Sequence, residues 1–215
     1  MKLKEIYEFL NQISPFELQE KWDNSGLIVG RLDDDITQIV TALDLDEQMI
    51  EQSDEGVLFV VHHPLIFGGI SGLDFDSYPA NLIQKLIQKN QSLIAMHTNF
   101  DKSHLNRFVF EEVLGFRCSG CEEFVCYTQE EWESDRLYAR LKKRLDLPHI
   151  KVVGEKKQIN SIALTTGSGA SMIDEIEADC FLTGDIKYHD AIKAINQNKM
   201  LIDIGHYESE RFFAR

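Results

Sequence analysis

"VLFVVHHPLIFGG", residues 57–69, runs five apolar residues directly into two adjacent histidines. An unbroken apolar run of that length, rich in β-branched side chains, predicts a strand covered on both faces, as in the parallel sheets of α/β proteins. Open sheets of that kind bind ligands beyond the carboxyl ends of their strands, which is where the imidazoles fall. Adjacent residues of a regular strand point to opposite faces, so His62 and His63 can serve one centre only if the chain bends. Pro64 restricts the residue before it and makes a bend plausible.

Outward from this stretch the chain alternates strand-like and helix-like patterns. Strands are predicted at 36–43, 57–61, 92–96, 151–154, 161–165, 179–183 and 200–204. Helices are predicted around 47–52, 81–89, 105–114, 130–145, 171–177 and 189–196. The N-terminus adds an amphipathic helical pattern, with Leu3, Ile6, Leu10 and Ile13 on one side. Such alternation indicates an α/β fold with mixed sheets flanked by helices. Laid on itself at an offset of 123 residues, the chain sets Ile39 on Ile162, Met49-Ile50 on Met172-Ile173, and His62 on Asp185. Each half reads as strand, helix, strand and then a polar motif, the pattern of an internal duplication.

Composition bounds what these elements can do. The 215 residues are 43% hydrophobic, enough for a substantial core, and carry 22 basic against 36 acidic residues for a net charge of -14. That balance argues against nucleic acid and anionic membrane as partners. The sequence shows no signal-peptide pattern and no run of membrane-spanning length, which predicts a cytoplasmic protein. Three of the four cysteines, Cys118, Cys121 and Cys126, fall within nine residues. Only one Cys-x-x-Cys pair exists, so the expectation is reduced thiols in a hinge region, with no structural metal and no obligatory disulfide.

The chemistry-bearing residues gather after the strands: His62 and His63, His97 and Asp101, His206 and Glu210. Nitrogen and carboxylate donors together suit zinc, iron or manganese, whereas calcium and magnesium favour oxygen alone. Singly, each residue has a plainer reading: a histidine hydrogen-bonded for structure, Asp101 capping the helix that follows, Glu210 a solvated helix charge. Their joint placement after apolar strands points to a metal site. "WDNSGLIVG" (residues 22–30) reads as a turn and buried strand supporting the site from behind, and "GSGAS" (167–171) as a flexible turn before a helix.

Five ordered motifs carry a resemblance over nearly the whole chain: "WDNSGLIVG", "HHPLIF" from His62, "MHTNFD" ending at Asp101, "TGDIKYHDA" from Thr183, and "GHYESE" ending at Glu210. With them the sequence resembles the YbgI-like family, also called the GTP cyclohydrolase I type 2 or Ngg-interacting-factor-like family. The resemblance implies two intertwined α/β domains, one of residues 1–118 plus 186–215 carrying the metal site and one of 119–185, assembled as a homohexameric ring. It implies two divalent ions per subunit, held at the positions matching His62, His63, Asp101, His206 and Glu210, with a carboxylate bridging. His97 and His189 are the expected proton-transfer groups, and Asp185, Lys187 and Tyr188 share the motif of His189. The implied activity is hydrolysis of a small, nucleotide-like molecule, with GTP ring opening the named candidate. The competing reading is a non-catalytic metal-binding adaptor or metal-handling protein. Two departures stand out: His104-Leu105-Asn106 replaces the family's Gly-Val-Asn, and the chain stops five residues beyond Glu210, where relatives continue, so a shortened C-terminus is expected.

Overall fold

In the computed structural model, which describes residues 1–214, the chain folds as two compact units. The first comprises Met1–Phe100 and the residues from Phe213, the second Asp101–Phe212. These limits differ from the expected boundaries at 118 and 186. The stretch 186–212 belongs to the second unit because its strand pairs inside that unit's sheet, as the pairing below shows.

The first unit is built on a four-stranded sheet in the order β1 (Gly26–Val29), β4 (Ser92–Ala95), β3 (Val57–Val61), β2 (Gln38–Ala42). β2, β3 and β4 run parallel, and β1 is antiparallel to β4. All five residues of β3 are buried, as an unbroken apolar run requires. Alternate side chains enter opposite cores. Val57, Phe59 and Val61 pack with Ile50 of helix Glu47–Gln52 and with Leu82, Ile83 and Leu86 of helix Ala80–Gln88. Leu58 and Val60 pack with Leu3 and Ile6 of helix Leu3–Ile13. Two full covers explain why this strand carries no polar alternation.

The second unit repeats the theme. Its six-stranded sheet has the order β5 (Gly120–Glu122), β6 (Val125–Thr128), β10 (Ile162–Leu164), β11 (Cys180–Thr183), β12 (Met200–Asp203), β8 (Lys151–Val153). β10, β11 and β12 are parallel, with β6 and β8 antiparallel on the flanks. A separate pair joins β7 (Trp132–Glu133) to β9 (Gln158–Ile159). The parallel triplet β10-β11-β12 stands to this unit as β2-β3-β4 stands to the first; the 123-residue offset sets β2 on β10 and β3 on β11, whereas β12 follows β11 at a shorter spacing than β4 follows β3. A helical segment over 98–113 includes two π-type stretches, Asp101–Leu105 and Val109–Val113, a geometry found often at functional sites.

The cysteine expectation is corrected. Cys121 and Cys126 face each other across the β5–β6 hairpin and are joined by a disulfide. The apparent hinge is a hairpin, and pairing opposite residues brings the two sulfurs together. Among the described residues no helix is long and apolar enough to cross a membrane.

Candidate metal centre

The bend after β3 is a main-chain device. The amides of His62 and His63 both donate to the Leu43 carbonyl, at 3.1 and 3.0 Å. Two consecutive N–H groups aimed at one oxygen cannot belong to a flat strand, so both imidazoles turn to the same side, with ring centroids 5.0 Å apart. His97, two residues beyond β4, joins them at 5.1 Å from His62 and 5.6 Å from His63. One ring nitrogen from each of the three lies within 4.8 Å of the others.

The tautomers follow from the partners. His62 Nδ1 meets the Met96 carbonyl at 2.9 Å, His63 Nδ1 meets Asp44 Oδ1 at 2.8 Å, and His97 Nδ1 meets Asp23 Oδ1 at 2.8 Å. Carbonyl and carboxylate oxygens only accept, so each Nδ1 carries the hydrogen and each Nε2 is the basic nitrogen. Oxygen acceptors behind the rings are the usual support of metal-binding histidines, fixing ring orientation and raising basicity. Asp23 is the most committed of them. Burial pushes its carboxyl up, but hydrogen bonds from His97 and Thr98 outweigh this and hold it well below the usual carboxylate range. The "WDNSGLIVG" turn lies behind His97 and holds it twice, through the Asp23 carboxylate and through Ser25 Oγ, which accepts from the His97 amide at 3.1 Å.

The second unit assembles its own cluster. Helix His206–Glu210 follows β12 and sets His206 Nε2 3.0 Å from Glu210 Oε2, one turn on. His206 Nδ1 lies 2.6 Å from Asp185 Oδ2, beyond the end of β11. Asp185 adopts φ 53, a left-handed conformation that aspartate tolerates better than most residues. Asp101 is buried, and one of its oxygens lies within 4.8 Å of one from Glu210, itself only 3% exposed. Hydrogen bonding to Glu210, opposed by partial burial and reinforced by the charges of Glu210 and Asp185, pushes the His206 pKa up to about 9. Two buried carboxylates this close call for positive charge between them. The His206 imidazolium supplies one, and a divalent cation fits the same donor set.

Residues 167–171 do form a bend leading into a helical turn, Ala170–Asp174, but one tied down by hydrogen bonds. Gly167 N–H donates to Ser209 Oγ at 3.0 Å, Ser209 Oγ donates to the His206 carbonyl at 2.8 Å, and Gly184 N–H donates to the Gly167 carbonyl at 2.7 Å. Gly167 has φ +63, and a Cβ there would stand 2.0 Å from Glu210 Oε1. Asn106 ties the same loop to the π-type stretch, accepting from Thr166 N–H at 2.6 Å and donating to the Asp101 carbonyl at 3.2 Å. Asp44, Asp23 and Gly167 are the supporting residues whose contacts the sequence did not reveal. His189, by contrast, is exposed beside Tyr188 on helix Tyr188–Asn196 and joins neither cluster.

The family model described as Duf34/NIF3 (NGG1p interacting factor 3) matches residues 1–215. The chain belongs to the Duf34/NIF3 family. Among Duf34/NIF3 relatives, a Campylobacter jejuni protein named "GTP cyclohydrolase 1 type 2 homolog" is 47% identical, over 100% of this chain and 90% of its own length. A Helicobacter pylori protein named "GTP cyclohydrolase 1 type 2" is 43% identical, over 99% of this chain and 88% of its own. The solved structure of the protein ybgI, described as of unknown function, superposes with a TM-score of 0.82 at 21% identity, covering 100% of this chain and 90% of that one. This last likeness establishes the fold, the mixed α/β architecture that the alternating pattern predicts.

Proposed function

We propose that this Duf34/NIF3 protein is a divalent-metal-dependent hydrolase of a small nucleotide-like molecule, with GTP the first candidate substrate. The observation that carries the reading is the imidazole trio, in which three Nδ1 atoms are held by oxygen acceptors and one ring nitrogen of each histidine lies within 4.8 Å of the others. In this reading His62 and His63 hold one ion of zinc, iron or manganese, and Asp101, His206 and Glu210 hold another. When bound, such ions supply Lewis acidity and lower the pKa of water toward neutrality.

The chain's own residues do the rest. Asp44 keeps the proton of His63 on Nδ1, and Asp185 does the same for His206. The Asp23–His97 couple has the form of a general base, an ionised carboxylate fixing the tautomer and stabilising the imidazolium once Nε2 takes a proton. Trp22 and Phe67, 59% and 56% exposed, approach His97 edge-on at 6.0 and 5.6 Å. Exposed aromatic rings beside a proton-transfer group favour a planar heteroaromatic substrate. The names of the relatives point to GTP.

The test incubates the metal-loaded chain with GTP and a panel of nucleotides, following formate and phosphate release separately beside a His63→Ala control. Metal-dependent product that the variant loses is the expected result. No product from any substrate at full metal occupancy would replace the hydrolase with a metal-handling protein.

A further inference from the structure

Three of the four cysteines meet at one hairpin, away from the histidine clusters in sequence and unused by the chemistry above. Cys121 and Cys126 are bonded as a directly opposed pair between β5 and β6. Cys118 lies just before β5, with its Sγ 3.4 Å from Cys121 Sγ, and donates weakly to the Gly120 carbonyl at 3.3 Å. One thiol is thus in van der Waals contact with a sulfur of a disulfide. All three sulfurs lie within 4.8 Å of one another. Their exposures are graded: Cys121 is exposed, Cys118 intermediate and Cys126 1% exposed. Cys180 is a contrast, since its full burial in β11 pushes its thiol far up and leaves it inert.

We propose that Cys118, Cys121 and Cys126 form a thiol–disulfide exchange centre, in which the bond moves between Cys121–Cys126 and Cys118–Cys121. The Cys118 thiolate attacks Cys121 Sγ. A Cys118–Cys121 bond forms, the Cys121–Cys126 bond breaks, and its electron pair leaves on Cys126 Sγ, which takes up the proton that Cys118 has shed. The step is an isomerisation and consumes no oxidant or reductant. Expelling a buried thiolate is slow, so the exposed Cys121 sulfur is also the entry point for a small monothiol. Such a thiol attacks Cys121 and frees Cys126, and Cys118 then attacks Cys121 and releases the monothiol unchanged. The two states differ mechanically. Cys121–Cys126 staples strand to strand, whereas Cys118–Cys121 closes a short loop within one segment and leaves β5 joined to β6 without a covalent link.

The sequence offers a direct readout, because Arg117 precedes Cys118 and Glu123 lies between Cys121 and Cys126. Cleavage after both, without reduction and after blocking free thiols with N-ethylmaleimide, gives a 118–123 fragment. It remains linked to the Cys126 fragment in one isomer and separates from it, unlabelled, in the other. The purified chain should show the linked form, and incubation with a substoichiometric monothiol should produce the separated form with the label now on Cys126. Cys118→Ser should give only the linked form, and Cys126→Ser, exposed to oxidised glutathione, should form the Cys118–Cys121 bond, with unchanged circular dichroism confirming the fold of both variants. The idea fails if wild-type label stays on Cys118 throughout, or if Cys126→Ser keeps two labelled thiols.

Discussion

Gly167→Ala probes the second cluster without touching a candidate ligand. The native φ of +63 forces an L residue into the left-handed region, at about 1–2 kcal/mol. For a chain of this size that corresponds to a fall in melting temperature of roughly 2–8 °C. The added methyl would stand 2.0 Å from Glu210 Oε1, so the carboxylate must swing away from His206. Gly68→Ala separates the two effects, since Gly68 has φ +70 with nothing within 4 Å of a Cβ. Both variants should therefore lose stability, but only Gly167→Ala should disturb His206. In metal-free protein, NMR titration of the His206 ring should show its pKa falling from about 9 toward the ordinary value of ~6.5. An unaltered His206 titration in Gly167→Ala would refute the claim that this glycine seats Glu210.

Asp44→Asn should weaken metal binding at His62 and His63 about 10–100-fold, as loss of a carboxylate behind a ligand usually does, measurable by competition against a chelating dye. Stability of the metal-free protein should depend on pH through His206. Because folding raises its pKa, the contribution is fully present below pH ~6.5 and is lost as pH rises through about 9, and urea titrations of Glu210→Gln should show that slope flattened. Phe59→Ala empties a site that is 0% exposed at the centre of β3 and should cost about 3–5 kcal/mol, seen as an earlier denaturant midpoint with an unchanged slope.

The parts legible in the sequence were those in which one local pattern meets one structural demand. Val57–Val61 was readable to the residue because a strand covered on both faces admits no polar position. Helix Glu47–Gln52 was equally plain, opening on Asp46, whose side chain caps the Met49 amide at 2.7 Å. The β5–β6 hairpin escaped because every residue of β5 is exposed, which leaves no apolar alternation to read. β7 and β9 are two residues each, shorter than any period. At the site, the histidines and carboxylates announced themselves by type and by their place after strands. Their supports did not, since Asp44 is 19 residues from His63 and Asp23 is 74 from His97. Only folding creates those pairs. Gly167 hid behind an ordinary turn composition, and its role depends on a backbone angle that no composition reveals.

The doubly covered strand that carries the two histidines also sets the timescale on which they can move. Amides of a central strand exchange with solvent only when most of the fold opens, whereas residues at chain ends exchange through local fraying. The amides of His62 and His63 share one acceptor immediately beyond such a strand, so they mark the border between the two regimes. Deuterium uptake at Val57–Val61 should follow global unfolding, and uptake at His62 and His63 should report whether that border is fixed. A pair of imidazoles held there is already ordered. The entropy of arranging them has been lost during folding, so the cation proposed to bind them would have correspondingly little left to organise.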